Sequence, residues 1–243
     1  SFKIGGFEYS GNSLTERSLR ILHARLSENK AWLDKAYFYV VDEPLTVADI
    51  EKIKTEYDSI VGAFPSVQIM TPMHEPVQYN DTLDGVEYVK DITGIWCGKP
   101  YAYTPRELLS TIPNARTFQT EAQDNAFGTY AQRMAEQKAA GKKVWWYVAW
   151  DPSEPYCNIL IENPGISHRV LFWQQKQNNV DGFLYYYANN WSSNYWDNTC
   201  TNPGLPYRVY GDGILLYDGT KVGIDEPVGS LRLEALRDGI EDF

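Results

Sequence analysis

Cysteine, histidine and basic charge are all scarce in this sequence. The three cysteines, Cys97, Cys157 and Cys200, lie far apart, and none forms a C-x-x-C pair, which argues against a structural zinc site. A Cys157–Cys200 disulfide is one alternative, and three free thiols are the preferred expectation. His23, His74 and His168 stand singly, without H-x-x-H or H-E-x-x-H spacing, so a catalytic metal is not expected; separately, no cofactor is expected. Lys and Arg number 22 against 32 Asp and Glu, a formal net charge of -10, which argues against a nucleic-acid or anionic-membrane partner. No uninterrupted apolar run reaches roughly 18 residues, so no membrane insertion is expected. No G-x-G-x-x-G or Walker loop follows a strand segment, and no G-x-S-x-G elbow occurs. A nucleotide-binding open sheet and an α/β-hydrolase triad both lose their usual support. The chain opens on Ser1 without Met and shows no signal peptide, so its natural start is expected upstream.

Aromatic residues, by contrast, are abundant. Trp 8, Tyr 18 and Phe 9 together make 14% of the chain. A core can absorb them, but Trp and Tyr in polar surroundings also suit sugars, whose C–H faces stack on flat rings while polar neighbours take the hydroxyls.

Along the chain, strand and helix signals alternate. Residues 13–29 carry Leu14, Leu19, Leu22 and Leu26 at helical spacing, with Ser13 or Thr15 as N-cap. Tyr37–Val41 is a short apolar, β-branched run that reads as a buried strand. Thr46 then caps a helix to about Phe64, with Ile50, Ile53, Tyr57 and Val61 on one face. Further strands are expected over 66–73, 92–97, 143–150 and 182–187, with helices over 122–140, 166–178 and 231–243. The stretch 188–229 is rich in Asn, Gly, Pro and Tyr, and a small hairpin is expected around 213–217. No repeat or low-complexity linker divides the chain, so 1–243 reads as a single domain. Strand–helix alternation favours a parallel sheet with helices outside it. Five strands are counted where a (β/α)8 TIM-type barrel needs eight, with residues 2–9 a partial sixth. The expectation is an incomplete barrel, a fragment lacking the first strands; an open α/β sheet is the alternative.

Chemistry concentrates at Asp42-Glu43-Pro44, directly after the strand 37–41. In a parallel barrel the C-terminal strand ends form the active face. Pro44 disfavours helical geometry at Glu43, which lets Asp42 sit at the mouth while Glu43 curves over it. Two carboxylates this close repel as anions, which favours a shared proton and suits acid–base work. The competing role is helix capping, since acids commonly precede helices. Thr46 already fills that position.

The segment YVVDEP resembles the strand-end Asp-Glu signature of glycoside hydrolase family 123. The later segments KVWWYVAWDP (143–152), NPGISHRVLFW (163–173), VDGFLYYYANNW (180–191), GDGILLY (211–217) and PVGSLRLEALRDGIEDF (227–243) resemble consecutive blocks of that family's catalytic domain, in the same order. The resemblance implies a (β/α)8 barrel and a β-N-acetylgalactosaminidase-like glycosidase with a glycan or glycoconjugate substrate. It implies substrate-assisted retention, in which the sugar's 2-acetamido oxygen attacks the anomeric carbon. Asp42 then orients the acetamido group, and Glu43 acts as general acid and base. The ordinary carboxylate separation of retaining enzymes does not apply to this mechanism. Relatives usually carry Trp at the position of Tyr186, which adds a hydroxyl here. The substrate class leads to an extracellular or periplasmic expectation. The rivals are a hydrolase for sugars lacking the acetamido group, and a carbohydrate-binding or inactive fragment.

Seven aromatic or amide residues are further candidates for substrate contact. Tyr186, Tyr187, Asn189 and Trp191, at the end of the last strand, rank first. Trp96, Tyr147 and Trp150 follow, each with core packing as the alternative. Asp151 is expected in a turn before Pro152, and Arg169 in an ion pair.

Overall fold

The computed structural model describes residues 2–4, 15–80, 82–191, 195–200 and 209–242. The chain divides into two compact units, residues 1–98 with 118–145, and residues 99–117 with 146–243.

The first unit is built on parallel strands with helices between them. Phe2–Ile4 pairs with Ala36–Tyr39, which pairs with Ile69–Pro72, which pairs with Thr93–Gly98, all in parallel register. Lys143–Trp145 begins the next strand in the order. Phe2–Ile4 has a strand neighbour on one side only among the described residues. Helices Glu16–Ser27, Val47–Val61 and Tyr130–Ala139 alternate with these strands. The strand and the turn after the helix both supply the core: Phe38 is 0% exposed and meets Phe64 edge-on, with ring centroids 5.1 Å apart. The expected helix face holds at Ile50 and Ile53, but its third buried residue is Ile60; Tyr57 and Val61 are only half-buried.

The single helix expected over 122–140 is in fact two, Glu121–Phe127 and Tyr130–Ala139. Gly128, at φ 83°, ends the first. Each half then has its own capping box, Thr120 with Gln123 and Thr129 with Gln132. Two T-x-x-Q signatures nine residues apart explain why the chain restarts rather than continues.

The second unit holds the rest of the strand Lys143–Val148, with Gly182–Tyr185 as its neighbour. Helices Gly165–Gln177 and Leu231–Glu241 pack together. Their contact is close enough that a Cβ on Gly239 would lie 2.7 Å from Phe172 Cδ2. Arg169 forms the expected ion pair, its Nη2 donating to Asp242 Oδ1 at 2.8 Å. The hairpin lies slightly later than expected, with Leu216–Asp218 antiparallel to Pro227–Gly229. Residue 214 instead bridges back to Asn189.

The α/β class with a parallel sheet therefore stands. None of the three cysteines is in a disulfide, which agrees with the preferred expectation of thiols. No helix among the described residues is long and apolar enough to cross a membrane.

Candidate active site

The acid pair follows the strand Ala36–Tyr39 as it leaves the sheet. Val40 and Val41 are buried, Asp42 is exposed, Glu43 is half-buried and Pro44 is buried again. Two hydrophobic anchors thus hold a short polar arch between them. Glu43 takes φ +41°, a left-handed conformation that a residue with a long side chain adopts at a cost of about 1–3 kcal/mol. Of the extended or turning geometries open to a residue before proline, Glu43 takes the turn, and it avoids the right-handed helical region.

Neither acid serves as a helix cap. Thr46 Oγ1 accepts from the backbone N–H of Asp49 at 3.2 Å. Asp49 Oδ2 in return accepts from the N–H groups of Leu45 and Thr46 at 3.1 and 2.9 Å. The hydrogen bond from Thr46, before the other contacts, holds the Asp49 carboxyl below its ordinary range. With the helix start satisfied by this pair, the capping role proposed for Asp42 and Glu43 falls away.

Tyr39, the last residue of the strand, orients the first acid. Its hydroxyl donates to Asp42 Oδ1 at 2.5 Å. Burial, then the charge of Asp42, pushes the Tyr39 phenol far above its ordinary value, so it remains a proton donor at any physiological pH. This residue was not singled out from the sequence. The signal was its position three residues before Asp42 at a strand end.

The other candidates separate into core and surface. In the first unit Trp96 is 0% exposed, and its Nε1–H donates to Gln137 Oε1 at 3.1 Å. It packs in the core instead of offering a face to a sugar. In the second unit Tyr147 is buried, with Lys99 Nζ 3.7 Å from its ring centroid. Trp150 is half-buried. Tyr186 and Tyr187 are exposed at 47% and 54%, with rings nearly perpendicular and centroids 5.5 Å apart. Asn189 is exposed, and Trp191 is anchored by donation from Nε1–H to the Leu216 carbonyl at 2.8 Å. Trp191 also stacks on Tyr195 at 5.8 Å.

Two charged residues of the second unit also went unnoticed in the sequence. Lys99 is 1% exposed and lies 4.0 Å from Asp151, which Arg116 also contacts. The turn role expected for Asp151 is thus joined by a buried ion-pair role. Asp212 is 0% exposed and accepts from the hydroxyls of Tyr185 and Tyr186 at 3.1 and 2.8 Å. Burial, before any other cause, pushes its carboxyl above the ordinary range. Both residues come from loops whose partners are distant in sequence, so no local pattern announced them. Among the described residues no group of His, Cys, Asp and Glu is arranged to hold a metal ion.

Comparison with known proteins supplies the family. No curated protein matches the chain. A similar solved structure is that of a family 123 glycoside hydrolase from Clostridium perfringens, described for glycolipid glycan hydrolysis. It shares 17% identity at a TM-score of 0.58, over 95% of this chain and 35% of that one. This likeness concerns the fold, and the chain spans about a third of the relative's length. The family model for the glycoside hydrolase 123 catalytic domain matches residues 8–243, nearly the whole chain, and on that match the protein belongs to glycoside hydrolase family 123.

Proposed function

We propose that the protein releases a terminal β-linked N-acetylhexosamine, with N-acetylgalactosamine the leading choice, by substrate-assisted retaining hydrolysis. The observation that carries this reading is the Asp42–Glu43 arch. Its two adjacent carboxylates are relieved of capping by Thr46 and Asp49, and the first is oriented by Tyr39.

A pair of neighbouring acids suits this reaction because the substrate brings its own nucleophile. Asp42, held in one rotation by Tyr39, meets the acetamido N–H and stabilises the positive charge that grows there as the acetamido oxygen attacks the anomeric carbon. The bond to the leaving oxygen breaks as Glu43 donates its proton. An oxazolinium-type ring remains. Glu43, now a carboxylate, takes a proton from water, which opens the ring with net retention. In the second unit, taken by itself, Tyr186, Tyr187, Asn189 and Trp191 are the proposed sugar-contact residues, through exposed rings and an amide. The parallel strands are consistent with an incomplete (β/α)8 barrel, the architecture that the family resemblance implies. The substrate class fits an extracellular or periplasmic enzyme.

The test is hydrolysis of aryl β-N-acetylgalactosaminide, β-N-acetylglucosaminide and β-galactoside. Turnover of the galacto N-acetyl substrate, lost in Glu43→Gln, supports the reading. Equal turnover of the plain galactoside removes the acetamido group from the mechanism. Binding of the sugars without turnover favours a carbohydrate-binding protein instead.

A further inference from the structure

We propose that Asp212 is a positioning residue for Tyr186: it draws the phenol hydroxyl inward, so that a sugar meets the tyrosine ring and not its hydroxyl. The proposal rests on the reading of Tyr186 as a sugar-facing wall, and it concerns what that wall presents.

Burial and hydrogen bonding within the second unit converge on it. Asp212 is fully buried, yet its carboxylate is spent on aromatic hydroxyls, Tyr185 on Oδ1 and Tyr186 on Oδ2. The Tyr186 hydroxyl has one proton, and it donates that proton to Asp212 Oδ2. A hydroxyl so engaged has no proton left to donate to a ligand, although the residue is 47% exposed. The surface that remains is the ring.

The turn carrying Asp212 is shaped around that hydroxyl. Gly213 has φ +73°, and a Cβ there would stand 2.9 Å from Tyr186 Oη. Its N–H donates to Tyr185 Oη at 2.6 Å, and its carbonyl accepts from the N–H of Asn190 at 2.9 Å. The turn is itself held from behind. Arg232 is buried and donates to the carbonyls of Ile159 and Gly211 at 2.8 Å each, and to that of Ile214. The chain of positioning therefore runs from the guanidinium to the turn, from the turn to Asp212, and from Asp212 to Tyr186. A hydroxyl added to an aromatic wall would normally add a polar contact and alter sugar preference. Here it is turned away, and the wall keeps the stacking character of an apolar ring.

The test compares wild type, Asp212→Asn, Tyr186→Phe and the double variant by two measurements. Spectrophotometric titration, with Tyr186→Phe identifying the lost phenol, follows ionisation of Tyr186. Calorimetry follows binding of N-acetylgalactosamine. Asp212→Asn is expected to bring the Tyr186 phenol down towards its ordinary 10 and to weaken sugar binding roughly tenfold. Tyr186→Phe, which keeps the ring, is expected to change affinity by less than about threefold, and Asp212→Asn is expected to add little in that background. Equal losses from Asp212→Asn in both backgrounds, or an unmoved Tyr186 titration, would overturn the proposal. A shifted titration in a wild-type protein that binds no sugar would instead overturn the functional reading, and the wall with it. Should Asp212→Asn fail to fold, Tyr186→Phe alone decides. A lost phenol that ionises at the ordinary 10, or a tenfold loss of affinity, contradicts the proposal.

Discussion

Tyr39 donates its hydroxyl to Asp42 Oδ1 at 2.5 Å, from the last residue of the strand to the first acid beyond it. A hydrogen bond to a charged group contributes about 1.5–3 kcal/mol. If that bond holds Asp42 for the acetamido group, Tyr39→Phe lowers kcat/KM by roughly 10- to 100-fold while the fold persists. Steady-state kinetics with circular dichroism checks this. Unchanged kcat/KM in a folded variant would remove Tyr39 from the mechanism.

Glu43 provides a separate test, because its φ of +41° is a conformation that Asn tolerates better than Glu or Gln. Glu43→Asn is expected to be more stable than Glu43→Gln by about 0.5–1 kcal/mol, with both inactive towards poor leaving groups. Denaturant unfolding measures the difference. Equal stability of the two variants would mean that the arch stores no strain.

The acid pair and the framework that presents it were legible in the sequence for a local reason. Thr46, Asp49 and the Ile50/Ile53 face announce a helix within a few residues, and a buried strand just before it leaves only the Asp42–Glu43 turn between. Tyr39, Lys99 and Asp212 were not legible. Lys99 lies over Tyr147, and Asp212 sits between Tyr185 and Tyr186, partners that the chain brings together only on folding. For Trp96 the sequence left a sugar platform and core packing both open, and the burial of the indole, with its bond to Gln137, favours the core. The break at Gly128 could have been read from the repeated T-x-x-Q pattern, but continuous helical periodicity hid it.

Away from the site, Asp84 and Arg133 form a buried two-pronged pair, at 2.8 and 2.6 Å, and Asp84 also caps the short helix Gly85–Val89 through the Glu87 N–H. Replacing one partner leaves the other charge buried, which typically costs about 3–5 kcal/mol. Asp84→Ala is therefore expected to destabilise by that order in thermal or denaturant unfolding. A loss under about 1 kcal/mol would show that the pair is hydrated.

His168 makes stability depend on pH. It is buried, donating from Nε2 to the Leu160 carbonyl at 3.1 Å, and burial holds its imidazole below the ordinary 6.5. The folded state thus binds fewer protons than the unfolded chain as pH falls. Its contribution is fully present above 6.5 and is lost as pH drops from there towards the depressed folded value. The denaturation midpoint of wild type should fall over this window more steeply than that of His168→Gln. Parallel curves would contradict the assignment.

The measurement that bears most directly on the central claim is the affinity of a thiazoline mimic of the cyclised intermediate. If the acetamido group is the nucleophile, the thiazoline binds at least ~100-fold more tightly than the product sugar. Asp42→Asn then loses roughly 10- to 100-fold of that affinity, since its carboxylate pairs with the ring nitrogen, while binding of a sugar without the acetamido group barely changes. Thiazoline binding no tighter than product, in a protein that still turns over substrate, would contradict substrate assistance by the Asp42–Glu43 pair.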